Sequence, residues 1–184
     1  GIYDLRLKAP EIASQAAAGQ FVSVYSKDGS RLLPRPISLC GIDKEAGQLR
    51  LVYRVAGAGT EEFSALKAGD TVDILGPLGN GFSLLEGKKA FLIGGGIGIP
   101  PMLQLAKELC ALNGSEMVQS VIGYRDSQLF LKDEFEAYGP VYTATEDGSR
   151  GTKGNVLDAI RENGLTADVI YACGPTPMLR ALKA

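Results

Sequence analysis

Three short stretches carry residue types that bind phosphate groups or approach a planar ligand. Arg35-Pro36-Ile37-Ser38 combines a guanidinium, held in an extended strand, with a hydroxyl that we predict to point to the same side of that strand. Residues 94–102, Gly-Gly-Gly-Ile-Gly-Ile-Pro-Pro-Met, let backbone amides approach an anion where a helix begins. Cys173-Gly174-Pro175 ends a predicted strand. Together these stretches predict a flavin site, a dinucleotide pyrophosphate site and a nicotinamide site.

A further segment repeats the combination of the first stretch. Tyr53-Arg54-Val55 offers a planar side chain and a cation, and the flexible Gly57-Ala58-Gly59-Thr60 follows with backbone amides and a hydroxyl. We predict that Thr60 is the N-cap of a helix over residues 60–66. Each of these features is also ordinary sequence for a small β-barrel, so none of them alone establishes a site.

The glycine run departs from the dinucleotide-binding fingerprint G-x-G-x-x-G. Pro101 stands where the third glycine would follow Gly96 and Gly98, and no acidic residue ends the next predicted strand. An ordinary Rossmann dehydrogenase is therefore disfavoured, and a turn that merely joins strand to helix stays possible. Arg125 could contact a 2'-phosphate or adenine, or be solvated, which leaves NAD and NADP both open. Taken alone, a cysteine such as Cys173 is more often structural than functional.

The elements that must position these residues change character near the middle of the chain. Residues 1–82 contain short strands rich in β-branched and aromatic residues, at 21–25, 37–40, 48–55 and 71–75, which favours a small antiparallel β-barrel. After a glycine-rich link at 76–82, strands at 90–93, 118–124, 141–145 and 168–172 alternate with helices. This alternation predicts a doubly wound parallel α/β sheet. We place the two domains at residues 1–82 and 83–184.

Composition excludes several classes of function. The chain has 184 residues, a net charge of −2 and no clustering of basic residues, so neither nucleic acid nor a membrane surface is an expected partner. Histidine is absent, which excludes Ser-His-Asp and Cys-His hydrolases. The three cysteines form no CxxC pair, so no metal site is predicted. No apolar run approaches the ~20 residues of a membrane span, and a cytoplasmic location is expected.

In their order along the chain, these motifs resemble the ferredoxin-NADP reductase superfamily, and the match covers nearly the whole sequence. Within it the chain most resembles the electron transfer subunit of dihydroorotate dehydrogenase B. The stretches that carry this finer resemblance are Leu33-Pro34-Arg35-Pro36-Ile37-Ser38, Gly76-Pro77-Leu78-Gly79-Asn80-Gly81-Phe82 and Ala144-Thr145-Glu146-Asp147-Gly148-Ser149, with Gly151-Thr152-Lys153-Gly154 following.

The resemblance implies an FAD-binding barrel followed by an NAD-binding domain, with hydride transfer between flavin N5 and nicotinamide C4. Arg35 would hold the FAD diphosphate, with Pro36 and Ile37 beside it, and Ser38 would lie near flavin N5. The ring and ribityl chain would be lined by Tyr53, Arg54 and Val55, and the phosphates contacted by Gly59 and Thr60. The NAD pyrophosphate would be admitted by Gly95, Gly96 and Gly98, and the nicotinamide flanked by Cys173 and Gly174. Ser38 and Cys173 are the expected catalytic residues.

The resemblance also implies a hetero-oligomer with the FMN-containing catalytic subunit that oxidises dihydroorotate in pyrimidine biosynthesis. The family pattern includes a C-terminal [2Fe-2S] segment with four cysteines. These 184 residues do not contain that segment, so the cluster is expected only in a missing stretch of chain. Two alternatives stay open. One is an NAD(P)H-dependent ferredoxin or hydrogenase-linked diaphorase subunit, and the other is a non-catalytic interaction domain that has lost the flavin.

Overall fold

Strands dominate the first 82 residues, and strands alternating with helices follow, in a computed structural model that describes residues 1–183. The chain divides into two units, Gly1–Phe82 and Ser83–Ala184. The predicted end of the second domain, residue 184, lies outside the described residues.

The first unit is built on a five-stranded antiparallel sheet, which confirms the predicted fold class. Its strand order is β1-β4-β3-β2-β5. The strands are β1 (Ile2–Lys8), β2 (Phe21–Val24), β3 (Arg35–Asp43), β4 (Gln48–Arg54) and β5 (Ile74–Leu78). Two short helices, α1 (Pro10–Gln15) and α2 (Ala58–Ser64), accompany them.

Period-two alternation along β4 separates the core of the first unit from its outer face. Leu49, Leu51 and Tyr53 are buried in the core cluster, together with Leu39 of β3. On the opposite face Arg50 donates to Asp4 of β1, with Nη2 to Oδ2 at 2.6 Å. The charged side chains of β4 therefore lie on the face opposite the core cluster, together with the buried Val52.

Three features of the first unit differ from the sequence prediction. Strand β5 begins three residues later than predicted and includes Gly76, Pro77 and Leu78, which the sequence pattern assigns to a link. A Cβ at Gly76 would lie 2.6 Å from Cγ1 of Val22, so the missing side chain is what lets β5 lie against β2. Helix α1 has no counterpart in the prediction. Helix α2 begins at residue 58, so Thr60 is not its N-cap.

The second unit is a parallel five-stranded sheet of order β10-β6-β7-β8-β9, which confirms the predicted α/β class. Its strands are β6 (Ala90–Gly95), β7 (Val118–Tyr124), β8 (Val141–Thr145), β9 (Thr152–Lys153) and β10 (Val169–Cys173). Its helices are α3 (Ile99–Asn113), α4 (Lys132–Phe135), α5 (Val156–Glu162) and α6 (Thr176–Lys183). The two-residue strand β9 is an addition to the predicted elements.

Two adjacent glycines of β6 show that helices cover both faces of this sheet. A Cβ at Gly94 would lie 3.2 Å from Cγ1 of Ile99 in α3, whereas one at Gly95 would lie 2.7 Å from Sδ of Met178 in α6. Successive residues of a strand point to opposite faces. Helices α3 and α6 therefore lie on opposite sides of the sheet, which is the doubly wound arrangement.

Helix lengths bear on the membrane prediction. None of the helices in residues 1–183 combines the length and the apolar character that crossing a bilayer requires.

Candidate functional site

The guanidinium of Arg35 lies against the first turn of α2. Arg35 opens β3, where it pairs with Val24, and its Nη1 donates to the carbonyl of Leu33 at 3.3 Å. A Cβ at Gly59 would stand only 2.8 Å from Nε of Arg35. Glycine at this position therefore makes room for the arginine. The structure thus brings together two predicted phosphate-binding residues from motifs more than twenty positions apart.

Thr60 braces the loop that leads into α2. Its Oγ1 accepts hydrogen bonds from the amides of Ala56 (2.9 Å) and Gly57 (3.2 Å) and donates to the carbonyl of Gly57 at 2.9 Å. The hydroxyl is thus engaged within the loop, and its role is to fix the loop's shape. A Cβ at Gly57 would meet nothing within 4 Å, so the space beside that residue is open to a ligand.

Ser38 and Arg35 do not share a face of β3. Ile37 and Leu39 are buried in the core, and Ser38 lies between them, paired with Phe21. Side chains alternate along a strand, so residues three apart point to opposite faces. The prediction that the hydroxyl and the guanidinium lie on the same side is therefore wrong. Pro36, which is exposed, lies on the same face as Ser38.

The ring of Tyr53 belongs to the core of the first unit. It stacks on Tyr3 with centroids 6.1 Å apart and meets Phe63 edge-on at 6.4 Å. Burial raises the pKa of the Tyr53 hydroxyl, and the nearby Tyr3 adds to the effect. Only 4% of Tyr53 is exposed, so a ligand contact there would fall to its backbone. Arg54 is exposed, and the amide of Val55 donates to the carbonyl of Gly1 at 3.1 Å.

In the second unit, the glycine run crosses directly over the end of β10. A Cβ at Gly98 would lie 2.3 Å from the carbonyl oxygen of Cys173, and one at Gly174 would lie 2.6 Å from Cε of Met178. Gly95 contacts Met178 in the same way. The structure therefore joins two predicted motifs that are 75 positions apart, and it gives Gly95, Gly98 and Gly174 a packing role.

Gly96 differs from its neighbours. Its φ is +55°, which favours glycine, and a Cβ there would meet nothing within 4 Å. Of the three glycines predicted to admit a pyrophosphate, Gly96 is the one with open space beside it. An anion could approach the backbone at this point.

The amide donors for such an anion do not come from the first turn of α3, in contrast to the sequence prediction. The amide of Ile99 donates to the carbonyl of Gly96, and Pro100 and Pro101 have no amide hydrogen. Donors must therefore come from the glycine loop that precedes the helix.

Cys173 ends β10 beside Gly94 of β6. Burial raises the pKa of its thiol, because the partly buried position disfavours the charged thiolate. The group is therefore a neutral thiol at pH 7. A neutral side chain here adds no charge to the carboxyl edge of the sheet, where ligands collect in such folds.

The adjacent strand ends carry charges of both signs. Arg125 is exposed directly after β7, and its carbonyl accepts from the amide of Asp147 at 3.4 Å. Asp126 and Glu146 lie in the same two turns. Positive and negative side chains thus lie side by side at this edge of the sheet.

Sequence reasoning missed two residues beside these sites. Met178 packs against both Gly95 and Gly174, and Glu62 of α2 anchors the loop that precedes Arg35. Met178 lies three residues after Cys173-Gly174-Pro175, and the local sequence gives no signal of this role, because Gly95 is 83 positions away. Nothing in the local sequence distinguishes Glu62 from an exposed helical carboxylate.

Comparison with known proteins agrees with this division of the chain. A family model described as an oxidoreductase FAD-binding domain matches residues 1–82, and one described as an oxidoreductase NAD-binding domain matches residues 92–184. The electron transfer subunit of dihydroorotate dehydrogenase B (NAD(+)) from Geobacillus sp. (strain WCH70) is 46% identical over 187 residues, covering 99% of this chain and 72% of its own length. The corresponding Bacillus caldolyticus subunit is 47% identical, covering 98% and 71%.

This chain belongs to the dihydroorotate dehydrogenase B electron transfer subunit family. Among solved structures, a chain from an NADH-dependent reduced ferredoxin-NADP oxidoreductase superposes with a TM-score of 0.87 at 32% identity, covering 98% of this chain and 66% of that one. The predicted family, the oxidoreductase class and the pair of cofactors FAD and NAD are thereby confirmed. Membership of a subunit family implies a catalytic-subunit partner.

Proposed function

We propose that this chain passes electrons between NAD and an FMN-containing dihydroorotate dehydrogenase catalytic subunit, with FAD as the intermediate carrier. In this proposal residues 1–82 bind FAD and residues 83–184 bind NAD. Family membership supports the reaction, and one structural observation carries the flavin site. The guanidinium of Arg35 rests on Gly59, 2.8 Å from where a Cβ would stand.

The residues of the first unit fit a flavin dinucleotide. Arg35 supplies a fixed positive charge for the diphosphate. Thr60 holds the loop beside it, and the backbone at Gly57 is open to phosphate oxygens, whereas Gly59 is buried beneath Arg35. We assign the flavin ring to the side of Ser38, with Pro36, Ile37, Tyr53, Arg54 and Val55 as further binding positions.

The residues of the second unit fit a nicotinamide dinucleotide. We assign the pyrophosphate to the loop of Gly95, Gly96 and Gly98, and the nicotinamide to Cys173 and Gly174. Gly96 provides the open approach, and Gly98 holds the loop on the end of β10. The neutral thiol of Cys173 would flank the ring without adding charge.

The bound flavin and nicotinamide would supply the chemistry, which is hydride exchange between flavin N5 and nicotinamide C4. The task of the chain is to bind and orient each of the two planar rings and to keep water from them. No side chain is needed as a general base, in keeping with a sequence that contains no histidine. Ser38 and Cys173 are positioning contacts at the two rings in this proposal.

In this proposal, the groups that carry electrons from the flavin to the catalytic subunit lie outside residues 1–183. In residues 1–183 no group of three or more His, Cys, Asp or Glu side chains is arranged to hold a metal ion. The [2Fe-2S] cluster stays an expectation from the family resemblance. The cytoplasmic location stays a prediction.

Arg35→Ala tests the flavin site. A charge-assisted contact to phosphate is worth about 1.5–3 kcal/mol, so FAD affinity should fall about 10- to 150-fold in a fluorescence titration. The matched control is Arg6→Ala, which removes an exposed arginine of β1 in the same unit and should leave the affinity unchanged. Equal FAD affinity in the Arg35 variant and the parent would refute the assignment.

Anaerobic reduction tests the reaction. The chain is loaded with FAD and mixed with NADH or with NADPH, while the visible absorbance of the flavin is followed. Bleaching by NADH and electron delivery to a dihydroorotate dehydrogenase catalytic subunit are the expected results. A strong preference for NADPH would favour the diaphorase alternative, and failure to take up FAD would favour the non-catalytic one.

A further inference from the structure

The carboxylate of Glu62 joins α2 to the connection between β2 and β3. Its Oε1 accepts a hydrogen bond from the amide of Lys27 at 2.7 Å, and its Oε2 accepts from the hydroxyl of Ser26 and from Nη1 of Arg31 at 2.8 Å. Three donors of the connection therefore converge on one side chain of the helix. They also lower the pKa of Glu62, the hydrogen bond from Ser26 most strongly, so the group is a carboxylate at pH 7.

A second contact of Arg31 strengthens this joint. Its Nη1 also donates to the carbonyl of Ala58, the first residue of α2, at 3.0 Å. Its Nε lies 3.3 Å from Oδ2 of Asp28 within the same connection. Residues 26–31 and α2 are thus held together by hydrogen bonds from both backbone and side chains.

The guanidinium of Arg35 contacts both of the segments that Glu62 joins. Its Nη1 donates to the carbonyl of Leu33, near the end of the connection, at 3.3 Å. Its Nε lies beside Gly59, which stands three residues before Glu62 in α2 and therefore about one turn away. The position of the guanidinium consequently depends on how the connection and the helix are joined.

The charges of this region leave Arg35 available to a ligand. The carboxylates of Asp28 and Glu62 are both paired with Arg31. Within residues 1–183 no carboxylate lies at ion-pair distance from the guanidinium of Arg35. Arg35 is thus fixed by a carbonyl and by packing, while its positive charge stays uncompensated by the protein.

We propose that Glu62 is a positioning residue for FAD, which holds the guanidinium of Arg35 in place for the flavin diphosphate by fixing residues 26–33 to α2. This inference rests on the proposed function, because the diphosphate is the group that Arg35 binds. Glu62 itself does not touch the ligand. Its effect is preorganisation, since an arginine that is already in place loses less conformational freedom when FAD binds.

Charge and position predict opposite effects of removing Glu62. The FAD diphosphate is negatively charged, so the loss of a nearby carboxylate would by charge alone strengthen FAD binding. The loss of the joint between residues 26–33 and α2 would weaken it. In Glu62→Ala we expect FAD affinity to fall about three- to tenfold in a fluorescence titration. Glu61→Ala is the control, because it removes an exposed carboxylate from the same helix, and it should leave FAD affinity equal or slightly higher.

The same substitution in an Arg35→Ala background tests whether Glu62 acts through Arg35. In that background Glu62→Ala should cost no further FAD affinity, because no guanidinium is left to position. An equal loss in both backgrounds would overturn the proposal, since Glu62 would then only stabilise the first unit. If Glu62→Ala does not fold, Glu62→Gln keeps the size of the side chain and carries the same test with an expected loss of about two- to threefold.

The outcomes also separate this inference from the proposed function. If Arg35→Ala lowers FAD affinity but Glu62→Ala leaves it unchanged or raises it, the positioning role alone is refuted. If Arg35→Ala itself leaves FAD affinity unchanged, the proposed flavin site fails and the role of Glu62 fails with it.

Discussion

Replacing Gly98 by alanine tests whether the glycine loop must lie on the end of β10. The φ and ψ of Gly98 are −82° and −6°, values that alanine adopts without strain. Backbone entropy alone would therefore stabilise Gly98→Ala by about 0.4–1 kcal/mol. The new methyl group would stand 2.3 Å from the carbonyl oxygen of Cys173 and 2.7 Å from Cα of Gly174. Packing therefore predicts that Gly98→Ala lowers the free energy of unfolding, whereas backbone entropy predicts that it raises it.

The size of the packing cost depends on which atoms can move away from the new methyl group. Ordinary contact of a Cβ begins near 3.4 Å, so the loop or the strand end must shift by about 1 Å. The atoms in the way are backbone atoms of β10, and no side-chain rotation relieves the contact. Overpacking of this kind costs about 1–3 kcal/mol. Subtracting the entropy gain of about 0.4–1 kcal/mol from the middle of this range, about 2 kcal/mol, we expect the second unit to lose about 1–1.6 kcal/mol.

Hydrogen exchange followed by mass spectrometry measures this loss in the second unit separately from the first. Peptides from β6 and β10 should exchange faster in Gly98→Ala, while peptides from β3 and β4 should not change. With FAD bound, reduction by NADH should slow about 10- to 100-fold, because a 1 Å displacement of the loop misaligns the nicotinamide.

The control is Gly29→Ala, at a glycine without a positive φ where a Cβ would meet nothing within 4 Å. Gly29→Ala changes the backbone entropy of the unfolded chain without adding a close contact, so its free energy of unfolding should equal or slightly exceed that of the parent. If Gly98→Ala behaved in the same way, the steric reasoning for the glycine loop would be refuted.

Two further predictions concern titratable groups. Hydrogen bonds from the Ser26 hydroxyl and the Lys27 amide, with the charge of Arg31, lower the pKa of Glu62 in the folded protein. The Glu62 carboxylate therefore stabilises the fold at pH values above its unfolded pKa, and this stabilisation is lost as the pH falls through the lower pKa of the folded state. Hydrogen exchange of residues 26–31 should therefore accelerate only below about pH 4.5, and Glu62→Gln should remove that dependence. Burial raises the pKa of the Cys173 thiol, so its alkylation by iodoacetamide at pH 8.5 should be slower than that of a free thiol. The free energy of unfolding should also fall as the pH rises above the pKa of the thiol in the unfolded chain. Fast labelling of Cys173 at pH 7 would contradict this prediction.

Much of the fold could be predicted because its signals are local. Strands β6, β7, β8 and β10 are short apolar runs followed by helix start signals, and they lie within about two residues of their predicted bounds. Strand β5 was misplaced because Gly76 and Pro77 are typical of turns. Their inclusion in a strand depends on the approach of β2 to Gly76, a contact more than fifty positions distant in sequence.

The sequence by itself determined which chemistry is available to this protein. The absence of histidine, the order of the motifs and the alternation of strands and helices set the two fold classes and the candidate binding residues. These properties depend on residue type and local spacing, which a sequence states directly.

Only the tertiary structure decided what each glycine and each polar group does. Gly59 makes room for Arg35, and Gly98 makes room for the end of β10. No protein atom lies beside Gly96, although the three glycines look alike in sequence. The hydroxyl of Thr60 is engaged within its own loop, and the ring of Tyr53 lies in the core. The physical reason is that packing and hydrogen bonding depend on which distant segments meet, and that information is absent from any local pattern.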